Sequence, residues 1–174
     1  MNARIESKPG PVKNRTTVER SDREVVVTRT INGPARIVFE AFTKADLFQR
    51  WWVPRSMGMT LLSCEIDARV GGKYRLVFDH DPEPVAFFGT YVEVQPYSRL
   101  AWTNDEGGEG GAVTTVTFEE KGGKTLLVMQ DRYPSKEALD SAIASGSTSA
   151  GGMHETFEQL DELLVTLGAS VGRS

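Results

Sequence analysis

The chain has one cysteine, two histidines and no long apolar run, and each shortage removes a class of protein. A lone Cys64 rules out an internal disulfide, so a reduced, cytoplasmic setting is the expectation. The histidines, His80 and His154, have no second histidine or cysteine at metal-ligand spacing. No transition-metal site and no cofactor is therefore expected. Nothing approaches roughly 18 consecutive apolar residues, so no membrane span is read, and the N-terminus lacks the apolar core of a signal peptide. A net charge of −4 speaks against a dedicated nucleic-acid partner. No serine sits on a nucleophile elbow. The run Gly107-Gly108-Glu109-Gly110-Gly111 lacks the lysine and following helix of a phosphate loop, and reads as a flexible connection.

What is present describes one ordinary domain. The chain has 174 residues, 39% hydrophobic and 25% charged, and is long enough to bury a core without staples. Residues 1–20 hold five basic side chains against two acidic ones, a net +3 that leaves −7 for the remainder. With Pro9-Gly10-Pro11 and little apolar periodicity they read as a flexible tail. The domain is placed at 21–168, and 169–174 form a second short tail.

The hydrophobic pattern then changes period along the chain. Residues 24–31 are β-branched and read as a strand. Asn32-Gly33-Pro34 ends it, and Ile37, Val38, Ala41 and Phe42 fall at helical spacing. Thr43 is a candidate N-cap for a second short helix over 44–50. Six strands follow, joined by short turns: 59–67, 73–78, 85–94, 99–103, 112–120 and 124–131. Such a run, without crossover helices, is an antiparallel meander. Ser135 is a candidate N-cap for 136–144. Over 149–167, Met153, Phe157, Leu160, Leu164 and Leu167 step by 4, 3, 4, 3, the stripe of a helix lying on a sheet. The fold class is therefore α+β: a curved, seven-stranded antiparallel sheet wrapped around a long C-terminal helix, with two short helices between the first two strands.

Strand parity proposes a pocket between that helix and the sheet. Tyr74, Leu76 and Phe78 share a face, as do Leu100 and Trp102, then Thr114, Val116 and Phe118, then Leu127, Met129 and Asp131. Together with Met153 and Phe157 these make an aromatic, methionine-containing wall with few polar groups, as small-molecule pockets have. The alternative is plain core. Trp51 and Trp52 are adjacent, and neighbours on a helix diverge by about 100°. One should anchor in the core; Trp52 is assigned to the cavity mouth near Met57. Candidate ligand contacts are thus Trp52, Met57, Tyr74, Phe78, Trp102, Met129, Asp131, Met153 and Phe157. Asp131, Tyr74 and His154 are the weak candidates for acid–base chemistry.

Four segments carry a resemblance. They are Gly33-Pro34-Ala35-Arg36-Ile37-Val38-Phe39-Glu40-Ala41-Phe42; Leu47-Phe48-Gln49-Arg50-Trp51-Trp52-Val53-Pro54; Asp67-Ala68-Arg69-Val70-Gly71-Gly72-Lys73-Tyr74-Arg75; and Phe88-Gly89-Thr90-Tyr91 through Arg99-Leu100-Ala101-Trp102-Thr103. As a set, over about residues 23–167, they resemble the helix-grip (START, or Bet v-like) superfamily. Within it they resemble the activator of heat-shock-protein-90 ATPase homologues. The resemblance implies a small domain with a hydrophobic cavity and no universal catalytic motif. Three functions stand open: a module binding a hydrophobic or aromatic small molecule, a protein-interaction module of the stress-response co-chaperone kind, and a cyclase- or dehydratase-like enzyme. A monomer and a homodimer are both compatible.

Overall fold

The computed structural model describes residues 16–105, 111–144 and 153–168. The tails at 1–15 and 169–174, the glycine-rich connection at 107–110 and the pair Gly151 and Gly152 lie outside the described residues. Among those described, the elements run β1 (Thr17–Arg20), β2 (Glu24–Ile31), α1 (Ala35–Thr43), α2 (Ala45–Phe48), β3 (Leu61–Ile66), β4 (Lys73–Phe78), β5 (Val85–Gln95), β6 (Arg99–Thr103), β7 (Val113–Lys121), β8 (Lys124–Arg132), α3 (Lys136–Ala144) and α4 (Met153–Thr166). All neighbouring strands are antiparallel, in the order β1-β2-β8-β7-β6-β5-β4-β3.

The sheet therefore has eight described strands where the sequence suggested seven. The extra one, β1, falls in the segment read as tail. It pairs with β2 from Thr17 opposite Thr28 to Arg20 opposite Val25. Backbone bonds to the edge of β2 suffice to hold it. Only Val18 of β1 packs against the core, so its alternation is too weak to register as a strand.

Alternation elsewhere is clean. In β4 the inward Tyr74, Leu76 and Phe78 are buried, and in β8 so are Thr125, Leu127, Met129 and Asp131. The stripe of α4 buries Met153, Phe157, Leu160, Leu163 and Leu164. Leu163 replaces the expected Leu167, which lies past the helix end and is exposed. There Leu167 N–H bonds the Leu163 carbonyl, and Gly168 follows at φ 73, a left-handed stop that glycine takes without strain. Phe157, Leu160 and Leu164 are fully enclosed, each worth about 1.5–3 kcal/mol relative to exposure.

Helix ends show how local chemistry sets boundaries. Ser135 caps α3, its Oγ accepting from Ala138 N–H at 3.0 Å. Thr43 does not cap α2. Its hydroxyl donates back to the Phe39 carbonyl at 3.0 Å, which keeps it in the last turn of α1; Lys44 is the N-cap of α2, which has four residues. The N-terminus of α1 is held by Glu120 on the β7–β8 hairpin, whose Oε1 accepts from Ala35 N–H at 2.9 Å. An acid at that end complements the helix dipole.

One buried ion pair joins α4 to the sheet. Arg29 of β2, 7% exposed, donates from Nε to Asp161 Oδ2 at 2.9 Å and from Nη1 to Thr16 Oγ1 at 3.1 Å. Asp161 Oδ1 accepts from Asn32 N–H at 2.8 Å. Burial raises the Asp161 carboxyl above its ordinary range despite these partners. The pair therefore fixes register between helix and sheet more than it adds stability. Asp161→Asn should leave Arg29 as an unpaired buried cation and cost about 3–5 kcal/mol in urea denaturation. The double replacement Arg29→Met, Asp161→Leu should recover most of that loss. A single-mutant cost below about 1 kcal/mol would mean the pair behaves as a solvated surface bridge.

Candidate functional site

The space inside the fold is not where strand parity placed it. Beside β2 and β8 the side chains are enclosed: Met129, Met153 and Phe157 are core, 2%, 5% and 0% exposed. The cavity lies over the other half of the sheet, β3 to β6, beneath α1, α2 and the irregular segment at 51–59. None of its described lining residues belongs to α4. Parity reports which side chains point inward; it does not report what fills the space opposite them.

The cavity measures about 210 Å³. Its sheet side is Ile66 of β3, Tyr74, Leu76 and Phe78 of β4, Phe87 and Tyr91 of β5, and Trp102 of β6. Phe42, Phe48, Trp52, Val53 and Pro54 cover it. Met57 and Met59 line its open side and are themselves exposed. Five of the nine expected contacts thus come together here: Trp52, Met57, Tyr74, Phe78 and Trp102. Among the described residues no charged side chain lines the cavity, and Asn104 is its one amide.

The tryptophan pair divides as expected, although α2 ends at Phe48 and both rings follow it in a turn. Trp51 is fully buried, donates from Nε1 to the Ala41 carbonyl at 2.9 Å and packs on Phe42 and Phe48. Trp52 stacks on Phe48 at 4.8 Å and faces the cavity. The covering segment is tied down by α4. Gln159, 3% exposed, donates from Nε2 to the Trp51 and Val53 carbonyls at 2.9 and 2.8 Å and accepts from Arg55 N–H at 2.9 Å. Thr156 Oγ1 donates to the Trp52 carbonyl at 3.2 Å. Glu155 accepts from both the backbone and the hydroxyl of Ser56, which lowers its carboxyl below the usual range.

The polar end of the cavity is a chain of hydrogen bonds. The Tyr74 hydroxyl donates toward the Thr103 carbonyl at 3.0 Å and Asn104 Oδ1 at 3.2 Å. Asn104 Nδ2 donates to the Ala112 carbonyl at 2.8 Å and to Thr114 Oγ1 at 3.0 Å. Thr114 Oγ1 donates to Asp131 Oδ1 at 2.6 Å. Tyr74 and Asp131 thus belong to one chain, but only Tyr74 reaches the cavity. His154 is exposed on α4. The three acid–base candidates do not converge on a common substrate position. Cys64 is half-buried beside the Ala45 carbonyl; burial, with the Glu65 charge adding, pushes its thiol up to about 11. Burial foremost, then Cys64 and Asp67, holds the Tyr91 phenol above its ordinary range. At neutral pH both are protonated, and a reactive thiolate is not available.

Sequence reasoning missed Asn104, Phe87 and Tyr91. The signal for the last two was present in β5, where Phe87, Gly89 and Tyr91 alternate onto the inner face opposite β4. Asn104 follows the last residue of β6 and offers no periodicity to read.

An eight-stranded antiparallel sheet with a long helix across one half and a small apolar cavity under the other defines a helix-grip, START-like protein. The model of the family described as "Activator of Hsp90 ATPase homolog 1-like protein" matches residues 32–165, and the chain belongs to that family. Solved structures share the fold. A Rhodobacter sphaeroides protein is 23% identical with a TM-score of 0.77, covering 87% of this chain and 99% of its own. A Nitrosomonas europaea protein is 19% identical at 0.74, covering 86% and 98%. A Staphylococcus epidermidis protein is 26% identical at 0.70, covering 87% and 94%. No curated protein matches the chain. Among the described residues no group of three or more His, Cys, Asp or Glu is placed to hold a metal ion, and no helix is long and apolar enough to cross a membrane.

Gly89 sets the polar end. A Cβ there would lie 1.8 Å from the Thr103 carbonyl oxygen and 2.9 Å from Tyr74 Cε2. Only a residue without one lets that carbonyl approach and receive the Tyr74 hydroxyl. Gly89→Ala should therefore cost about 1–3 kcal/mol, and should weaken the near-ultraviolet circular dichroism of the Tyr74–Tyr91–Trp102 cluster. Unchanged stability and spectrum would show that the backbone of β6 yields freely at this point.

Proposed function

We propose that the protein binds a small hydrophobic or aromatic molecule in the cavity beneath Trp52. The observation that carries this is the lining: a half-open space of about 210 Å³ with aromatic walls, a single amide and no described charged side chain. Exposed apolar surface of this kind is unfavourable unless something covers it. The volume is below the roughly 300–1,000 Å³ of drug-sized pockets. It exceeds the roughly 150 Å³ engineered apolar cavity that takes up benzene. One- and two-ring ligands match it. Hydrophobic cavities in proteins of this fold, implied by the sequence resemblance, support the same reading.

A second reading rests on the family description and on the surface. Val70 and Val92 are 64% and 50% exposed, and they neighbour Gly71 and Tyr91, joined by the bond from Gly71 N–H to the Tyr91 carbonyl at 2.9 Å. A module that activates a chaperone ATPase in a stress response would use such a patch. Added protein should then raise that ATPase rate, and a flat rate removes this reading.

For the cavity, uncharged one- and two-ring aromatics should raise the melting temperature and shift tryptophan emission, because Trp52 and Trp102 line the site. At 100 times its dissociation constant a ligand adds about 2.7 kcal/mol. Trp52→Ala should weaken binding by about tenfold, the loss of one aromatic contact of roughly 1.4 kcal/mol. Absence of stabilisation across the whole set would overturn the binding function.

A further inference from the structure

We infer that the cavity selects an uncharged aromatic ligand carrying a hydrogen-bond donor, of the phenol or indole class, and that Asn104 receives it. The inference rests on the ligand-binding function above and adds the chemistry of what is bound.

The argument is a count of protons and acceptors. The Ala112 carbonyl can only accept, so the nitrogen of the Asn104 amide must face it, at 2.8 Å. The second N–H of that nitrogen goes to Thr114 Oγ1 at 3.0 Å. Thr114 has one proton, and it points at Asp131 Oδ1, 2.6 Å away. This leaves the Thr114 oxygen as the acceptor for Asn104. The amide oxygen is thereby turned toward the Tyr74 hydroxyl, at 3.2 Å. The single Tyr74 proton is held between that oxygen and the Thr103 carbonyl, which is 3.0 Å away. The side-chain donor protons of Tyr74, Asn104 and Thr114 are therefore already committed to the scaffold. An amide oxygen has two acceptor positions, and Tyr74 occupies one at Asn104 Oδ1. The second is what the cavity offers a ligand.

Three ligand classes are separated by this arrangement. A carboxylate, as in a fatty acid, would meet no cation among the described lining residues and would be desolvated without a countercharge. A ketone, ether or nitrile would bring another acceptor to an acceptor. A hydroxyl or ring N–H would find Asn104 Oδ1 waiting, while its ring lies among Tyr74, Tyr91 and Trp102. Those three rings stand edge to face with centroids 6.0–6.2 Å apart. Their flat faces favour a planar guest.

Calorimetric or fluorescence titration of the full chain with 2-naphthol, naphthalene, 2-methoxynaphthalene and 2-naphthoate tests this. The four are matched in shape and differ at one substituent. The naphthol should bind tighter than naphthalene and its methyl ether by roughly 3- to 10-fold, the usual contribution of one neutral hydrogen bond. The naphthoate should bind least. Asn104→Leu should bring the naphthol and naphthalene affinities together. If naphthalene or the ether equals the naphthol, or the naphthoate binds best, the donor inference is overturned while cavity binding stands. If none of the four binds, the binding function itself falls. The wild-type comparison decides the matter even where the Asn104 variant does not fold.

Discussion

Gln159 holds the arrangement together. The segment between α2 and β3 has almost no regular structure, so its backbone groups lack ladder partners, and buried carbonyls without partners are costly. One amide side chain supplies three bonds at once, to the Trp51 and Val53 carbonyls and from Arg55 N–H. Glutamine suits the position because its two N–H groups and its oxygen serve two acceptors and one donor. Glu155, Thr156 and Glu162 stand on the same side of α4, and all bond the same segment. The helix thus has two working faces. The apolar face closes one half of the core, and the polar face holds the cover over the other half.

That division explains why a cavity survives in a chain with an otherwise tight interior. Phe157, Leu160 and Leu164 fill the space beside β2 and β8 completely. Across β3 to β6 the cover is α1, α2 and an irregular strap, and a gap remains between them and the sheet. What faces the gap is rings: Phe48 stacked on Trp52 above, and Tyr74, Tyr91 and Trp102 below. Rings in mutual edge-to-face contact are stiff and cannot relax inward to fill a void as a methionine would. Tyr74 is fixed further by its hydroxyl bonds and by the missing Cβ of Gly89.

The elements set by periodicity were legible before any coordinates. Alternation in Tyr74, Leu76 and Phe78 and the stripe from Met153 to Leu164 needed no partner to be read. The split between Trp51 and Trp52 was read from helical rotation, and it holds although both follow the end of α2. What resisted reading depended on partners distant in sequence. β1 exists through its backbone bonds to β2, not through its own pattern. Thr43 looked like a cap until the Phe39 carbonyl proved to be within its reach. Gln159 sits 108 residues from the Trp51 carbonyl it satisfies, and no local rule marks it. The cavity shifted from beneath α4 to beneath Trp52 for the same reason: inward-facing residues were visible, and the thing opposite them was not.

The same bond inventory bears on turnover. Catalysis requires groups that stabilise the transition state better than the ground state, usually donors aimed where charge develops or side chains that exchange protons near the working pH. Here the donors of the polar end are spent on the scaffold, through Tyr74, Asn104 and Thr114. The Tyr91 phenol and the nearby Cys64 thiol are pushed away from neutral pH by burial. Asp131 lies at the far end of the chain, two bonded residues behind Asn104. A cavity organised in this way presents a fixed acceptor and apolar walls, which suits holding a neutral molecule in one orientation.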